Sequence, residues 1–502
     1  MPLGAHKRVL SLTSRKASFY IAEVKWRNQL LALFCLLVFA AFGVLYFQHW
    51  VVQKPFGIIL FVGEGLTADR LAALRIYAAN AETPLTIDTL GYSALLKNYS
   101  NDSAVPDSAA AATALATGLK VNNGALGIDA EGNSLTNLLE LARASGRVTG
   151  LVTDARLTNA TAAAFYAHTG NKDDAQELAR TLVESASIDI VLGGGADDFR
   201  PESDGGSRAD ARDLLTEADE AGYDLVRTQT ELEAVAWWRW PKVFGVFGSA
   251  ELEAGAEIGP ETLQPSLSNM VRRAIELLQI HRGGFLLVVD AALMRKAAEK
   301  NDADATFEAM LELDRAVSVA LRFAGTKTTV FVCGDVGIGG LNVSGFAPLS
   351  AGKSELLSNN SSGETRVTWA TGPSSAKPAE ASPPAAPTQA DAVEQAPAPP
   401  ADTSAESTPV TAVSAAAAAP LGSDPSQIAP VDPAIAAPQI ADASPHASLP
   451  TVPLIGAPAA VYAPAALNTV GDVIAFGDGR GAEALHGTLE NTAIFDIIRD
   501  NL

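Results

Sequence analysis

Short, unbroken apolar runs recur along this chain, and most of them stop at a glycine or an acidic residue. They cover Gly57–Glu64, Arg147–Asp154, Ile188–Gly195, Val243–Ser249, Phe285–Asp290, Thr328–Asp335 and Asp472–Asp478. Runs of this length without polar alternation suit strands buried on both faces. Between them, apolar residues fall three and four apart over Gln264–Ile280 and Thr306–Phe323, and Ser134–Gly146 reads as a helix with a serine N-cap and a glycine stop. Strands alternating with helices predict an α/β fold: a mostly parallel central sheet, flanked by helices and joined by right-handed crossovers. Ligands in such sheets bind beyond the carboxyl ends of the strands. Glu64, Asp154, Asp290 and Asp335 stand at those ends.

Two stretches break the alternation. Leu30–Phe47 carries no charge and no polar stripe, and with its flanks reaches the roughly 20 residues that cross a bilayer as a helix. It predicts a transmembrane anchor over 29–48. Lys7, Arg8, Arg15, Lys16, Lys25 and Arg27 precede it, so 1–28 is expected in the cytoplasm and the rest on the periplasmic or extracellular side of the cytoplasmic membrane. A cleaved signal peptide is the rival reading; against it, the run exceeds a signal core and no clear small-x-small site precedes His49-Trp50. The second stretch, Pro373–Leu467, is dominated by Ala, Pro, Ser and Thr. Such a composition cannot bury enough surface to offset chain entropy, which predicts a disordered insertion over 373–467. The folded domain is then expected in two parts, 55–372 and 468–502, ending in a helix over Asn491–Leu502.

A net charge of −21 lends nucleic-acid binding no support. Two cysteines, Cys35 and Cys333, both in apolar runs, make no disulfide framework.

Candidate chemistry centres on Val105–Ile128. Ser108 heads a run of alanines, a hydroxyl at the mouth of a helix whose amides and dipole favour an incoming phosphate. An Asp-Ser cap on an Ala-rich core helix explains the spacing equally well. The wider pattern is more specific. Asp107-Ser108-Ala109, Thr113-Ala114, Thr117-Gly118, Lys120 and Asn123–Gly127 closely resemble the nucleophile motif of alkaline phosphatases. Phe61–Gly65, Asn159–His168 and the terminal FGDGRGAEALHGTLENT resemble further landmarks of that family, in the family's order. The resemblance spans 56–372 and 468–502, and implies an alkaline-phosphatase-like sheet.

The resemblance also implies a site of two zinc ions and a magnesium, with Ser108 as the nucleophile that a zinc activates. The chain departs from that ligand set. Glu64 stands where the family has Asp, and Asp335 is retained but is followed by Val336 in place of a histidine. Val289, Met294, Ala298 and Asn468 occupy the remaining zinc-ligand positions. None of these is a usual tetrahedral zinc ligand. At the magnesium position stand Asn159 and Thr161, with Asp290 a compensating carboxylate. Lys172 replaces the phosphate-clamping arginine, keeping its charge without its fork. The six histidines, His6, His49, His168, His281, His446 and His486, do not supply the missing set.

These residues predict a membrane-anchored pseudophosphatase that binds a phosphate-containing small molecule or a protein partner, with no two-zinc site. At most one Mg²⁺ or other divalent cation is expected, on Glu64, Asp335, Asp290, Thr161 and Asn159. The alternative is a weakly active phosphomonoesterase with Ser108 as nucleophile and Lys172 on the phosphate. The family's habit of pairing makes a homodimer a further expectation.

Overall fold

The computed structural model describes residues 26–44, 54, 56–253, 263–345, 349, 351–358, 366–373 and 459–502. Ten strands form one sheet. Eight are labelled here: β1 Gly57–Gly63, β2 Tyr92–Lys97, β3 Val148–Arg156, β4 Ile190–Gly194, β5 Tyr223–Val226, β6 Lys242–Val246, β7 Phe285–Ala291 and β8 Thr328–Gly334. From one edge the order is Thr488–Glu490, β2, Val473–Asp478, β8, β1, β7, β3, β4, β6, β5. All seven apolar runs are strands, and the block from β8 to β5 is parallel throughout. Val473–Asp478 is the antiparallel exception, paired to both β8 and β2.

The centre of the sheet follows from its composition. Ile58, Ile59, Leu60, Phe61 and Val62 of β1 have no exposed surface, and each buried side chain of this size contributes about 1.5–3 kcal/mol. Helices Ala68–Ala78, Leu267–Leu278 and Ala303–Phe323 cover one face. Helices Ser108–Thr117, Leu138–Ala144, Ala175–Glu184, Leu214–Glu220 and Ala493–Asn501 cover the other. Strand β2 escapes the sequence pattern because it is half-buried, with only Ala94 and Leu96 facing inward.

Caps move some predicted boundaries. The helix expected from Ser134 begins at Leu138, because Asn137 and Glu140 form a reciprocal capping box that satisfies two free amides at once; Ser134 instead pairs with Ile128 in an isolated bridge. Most of the expected insertion, and residues 45–48 of the expected anchor, lie outside the described residues. The described residues begin again at Ala459–Tyr462, nine residues before Asn468, a strand parallel to Val367–Gly372. The apolar N-terminal helix runs Trp26–Val44 and is long and apolar enough to cross a membrane.

Candidate functional site

Parallel strands carry their last residues to one edge, and this brings Glu64 (after β1), Asp154 (in β3), Asp290 (in β7) and Asp335 (after β8) together in the interior. All four are almost fully buried. The helix Ser108–Thr117 aims its N-terminus at the same place. Asp107 is the N-cap, its Oδ1 accepting from Ala110 N at 2.9 Å and its Oδ2 from Gly124 N at 2.9 Å. The capping role open from the sequence is therefore filled by Asp107, which leaves the Ser108 hydroxyl for other partners. Ser108 Oγ donates to Asp335 Oδ2 at 3.1 Å. Asp335 Oδ1 accepts from Gly65 N at 2.8 Å and from Val336 N at 2.5 Å. Both oxygens of Asp335 are thus engaged by the chain.

A cleft of about 320 Å³ opens here, lined among others by Ser108, Glu64, Asn159, Lys172, Arg156 and Arg295. The sequence motifs do not point to Arg295. It projects from the helix Leu293–Glu299, with Nε 3.7 Å from Glu64 Oε2 and 3.0 Å from Glu299 Oε1, while Nη2 donates to Asn468 Oδ1 at 3.0 Å. Its Nη1 meets no acceptor. Burial works against the Arg295 charge, but Glu64, Asp335 and Glu299 outweigh it and hold its pKa above the ordinary value. Beneath the site a second buried guanidinium, Arg70, donates to Gly65 O at 3.1 Å and to Ile338 O, and lies 5.4 Å from the Trp369 ring. Desolvation lowers Arg70 to about 10, which still leaves it charged at neutral pH. Two arginine cations therefore sit among the clustered carboxyls.

The carboxyls respond to burial and to one another. Burial, then the charge of Asp335, raises Glu64 to about 7. Desolvation raises Asp154 to about 7 as well, and it lifts Asp290 well above the ordinary range, with Glu64 adding to the shift. Asp335 moves the same way, chiefly through burial, with Arg295 opposing it. Asp154 serves the structure, because its Oδ1 accepts from Ala292 N at 2.7 Å and Leu293 N at 3.1 Å and so fixes the start of the helix that carries Arg295.

The residues expected from the sequence converge, though not all as ligands. Asn159 turns its amide nitrogen to Glu64 Oε1 at 2.5 Å and to Asp290 Oδ2 at 3.4 Å, so it acts as a donor to the carboxyls. Lys172 lines the cleft mouth and pairs with Asp173 at 2.7 Å. Glu64 Oε2, Asp290 Oδ1 and Thr161 Oγ1 are buried without a partner at hydrogen-bond geometry. These three oxygens have the hard-donor chemistry that Mg²⁺ prefers, so a single small cation fits the residues present. Zinc does not. Val289, Met294, Ala298 and Val336 are wholly buried and apolar, and Asn468 uses Oδ1 on Arg295 and Nδ2 on Pro106 O, the latter at 2.9 Å. Among the described residues, no three His, Cys, Asp or Glu side chains are grouped to hold a metal. Arg156, which no motif marks either, lies in the cleft wall, held by Asp198 at 2.8 Å and Glu251 at 3.7 Å. Arg295 stands beside Met294 in the stretch where zinc ligands are expected, but only the turn of its helix reveals where it points.

Comparison with known proteins agrees with this architecture. A family model described as alkaline phosphatase matches residues 57–419. The chain is 31% identical over 336 residues to the tissue-nonspecific alkaline phosphatase isozyme of Gallus gallus, covering 57% of this chain and 64% of that one. It is 30% identical over 299 residues to alkaline phosphatase 4 of Bacillus subtilis, covering 57% and 62%. The chain thus spans just under two thirds of either relative. Among solved structures, the alkaline phosphatase of the Antarctic bacterium TAB5 superposes with a TM-score of 0.60 at 19% identity, over 89% of this chain and 98% of that one.

Proposed function

Because the chain belongs to the alkaline phosphatase family, we propose that it is a phosphate-binding member whose zinc-dependent hydrolysis has been lost, held at the membrane by the helix Trp26–Val44. Arg295 carries this reading. Its guanidinium lies against Glu64 and Asn468, two positions where the family resemblance implies zinc ligands, and Nη1 remains unpartnered. A fixed organic cation there balances the carboxyls and offers a donor to an anion. It does not supply what a zinc would: acidification of the serine hydroxyl or generation of hydroxide. Ser108 donates to Asp335, and among the described residues no histidine lines its cleft, so no imidazole is placed to act as its general base.

Phosphate binding rests on a helix N-terminus and four basic side chains in a cleft that also carries Glu64, Asp107, Asp173, Glu251 and Glu299. Ser108 opens a ten-residue helix, where amides and dipole favour an anion, and Arg156, Lys172, Arg295 and Lys296 line the same cleft. One observation favours a second reading, residual phosphomonoesterase activity. Glu64 Oε2, Asp290 Oδ1 and Thr161 Oγ1 would hold one divalent cation, which would supply charge neutralisation next to a bound phosphate.

The two readings separate in one experiment on the full chain in detergent: titration with inorganic phosphate, together with aryl phosphate hydrolysis with and without Mg²⁺. The first reading predicts saturable phosphate binding and turnover no faster than that of Ser108→Ala. Arg295→Lys keeps the charge but loses the planar fork, and should weaken binding at least about tenfold, the size of one lost charge-assisted hydrogen bond. Mg²⁺-dependent turnover abolished by Ser108→Ala would establish the second reading.

A further inference from the structure

Three tryptophans stand out from the surface far from the carboxyl cluster. Trp237, Trp238 and Trp240 are 53%, 65% and 59% exposed, on a single 3₁₀ turn, Trp237–Arg239, and its following residue. Trp237 and Trp238 meet edge to face at 6.2 Å, and Trp240 packs edge-on against His281 at 5.6 Å. The turn is braced. Arg273, buried in the helix Leu267–Leu278, donates to Leu232 O at 3.0 Å, to Glu233 O at 3.3 Å and to Val235 O. These carbonyls close the helix Gln229–Ala234, which leads into the turn. Arg239 is tied to Asp224 at 2.6 Å. Trp240 takes a left-handed backbone, φ +55°, a conformation that a bulky residue adopts only when its surroundings impose it. The fold thus holds three large indoles in the open.

Their location says what covers them. The turn ends where β6 begins, and the parallel register carries that end across the sheet: Val243 pairs with Ile190, Ile190 with Gly150, Val148 with Phe285 and Phe285 with Gly57. The tryptophans therefore lie on the edge at which the chain enters β1, and residues 45–56 alone separate β1 from the apolar helix Trp26–Val44. Four strand spacings, about 19 Å, separate that entry point from the turn. Glu64, Asp290 and Asp335 occupy the opposite edge. Indoles prefer the headgroup layer of a bilayer, where a flat apolar ring and a polar N–H are both accommodated.

We propose that Trp237, Trp238 and Trp240 form a membrane-docking surface that rests in the interfacial layer of the bilayer holding the N-terminal helix. The inference rests on membrane anchoring by that helix. It gives the domain a second attachment and turns its cleft away from the lipid. Exposed charges on this edge are mixed, Arg282 and Lys327 beside Asp219 and Glu220, so docking depends on the indoles and persists at high salt and on zwitterionic lipid.

The test uses the full chain in nanodiscs of phosphatidylcholine with and without bromine on the acyl chains. The variant Trp237→Ser, Trp238→Ser, Trp240→Ser removes only exposed rings; the emission difference between wild type and variant reports the three indoles. The expected result is a blue-shifted difference spectrum, quenched at least about twofold by brominated lipid and unchanged at high salt. Unquenched, water-like emission from a chain that stays on the disc would overturn docking and leave anchoring intact. A chain that washes off the disc would overturn both. Unquenched emission from dimers that the variant dissociates would overturn docking in favour of a second copy of this chain.

Discussion

Arg295 brings a permanent positive charge into a pocket where Glu64, Asp290 and Asp335 crowd together. Removing one member of a buried charge group leaves its partner uncompensated, which typically costs about 3–5 kcal/mol. Arg295→Met, close in volume and without charge, is therefore expected to lose about 3 kcal/mol of stability in thermal melts, and adding Glu64→Gln is expected to recover most of it. Losses that simply add would show that Arg295 and Glu64 do not compensate each other. The residue scale is also where sequence reading divides. Ser108, Glu64, Asp335 and Thr161 are legible because each sits inside a motif or at the end of an apolar run. Arg295 and Arg156 are not, because an arginine on a helix or at the end of a strand is commonplace until the fold fixes its direction. Asn159 is legible as a neighbour of the carboxyls, but its donor role depends on which end of the amide faces them.

At the scale of elements, hydrophobic patterning locates the strands well, because burial on both faces leaves a continuous apolar signature. It fails where a strand is half-buried, as in β2, and where a cap decides a boundary, as with Asn137. The helix Ser108–Thr117 shows local rules working together: an aspartate cap, a wholly buried body, and a stop at Gly118, which takes φ +73° with the Phe495 ring filling the space a side chain would need. One link between elements depends on pH. His168 Nε2 lies 3.0 Å from Glu140 Oε1 and Nδ1 lies 2.9 Å from Gly127 O. The Glu140 hydrogen bond raises the His168 pKa above its ordinary value, against a smaller opposing effect of burial. The folded state then binds this proton more tightly than the unfolded chain, so the contribution is complete below about 6.5 and fades as pH rises through the folded value. The gap in thermal midpoint between wild type and His168→Gln should be wider at pH 5.5 than at pH 9. A gap equal at both, or wider at pH 9, would contradict this.

Across the whole molecule, the parallel sheet separates two ends with different roles. Its carboxyl edge holds Ser108, the buried carboxyls and the two arginines; its amino edge receives the chain after the apolar helix and displays the tryptophans. Family and fold are legible at this scale, since ordered motifs and strand alternation survive sequence divergence. The opposition of the two edges is not, because it depends on register. On the reading proposed here, a guanidinium has replaced the zinc-dependent part of the site. Equilibrium dialysis of the full chain against micromolar zinc, followed by elemental analysis, tests this most directly. Well under about one zinc per chain is expected, since Val289, Met294, Ala298, Val336 and Asn468 are not the His, Cys or carboxylate ligands zinc uses. Two zinc ions per chain, accompanied by hydrolysis of an aryl phosphate, would contradict it.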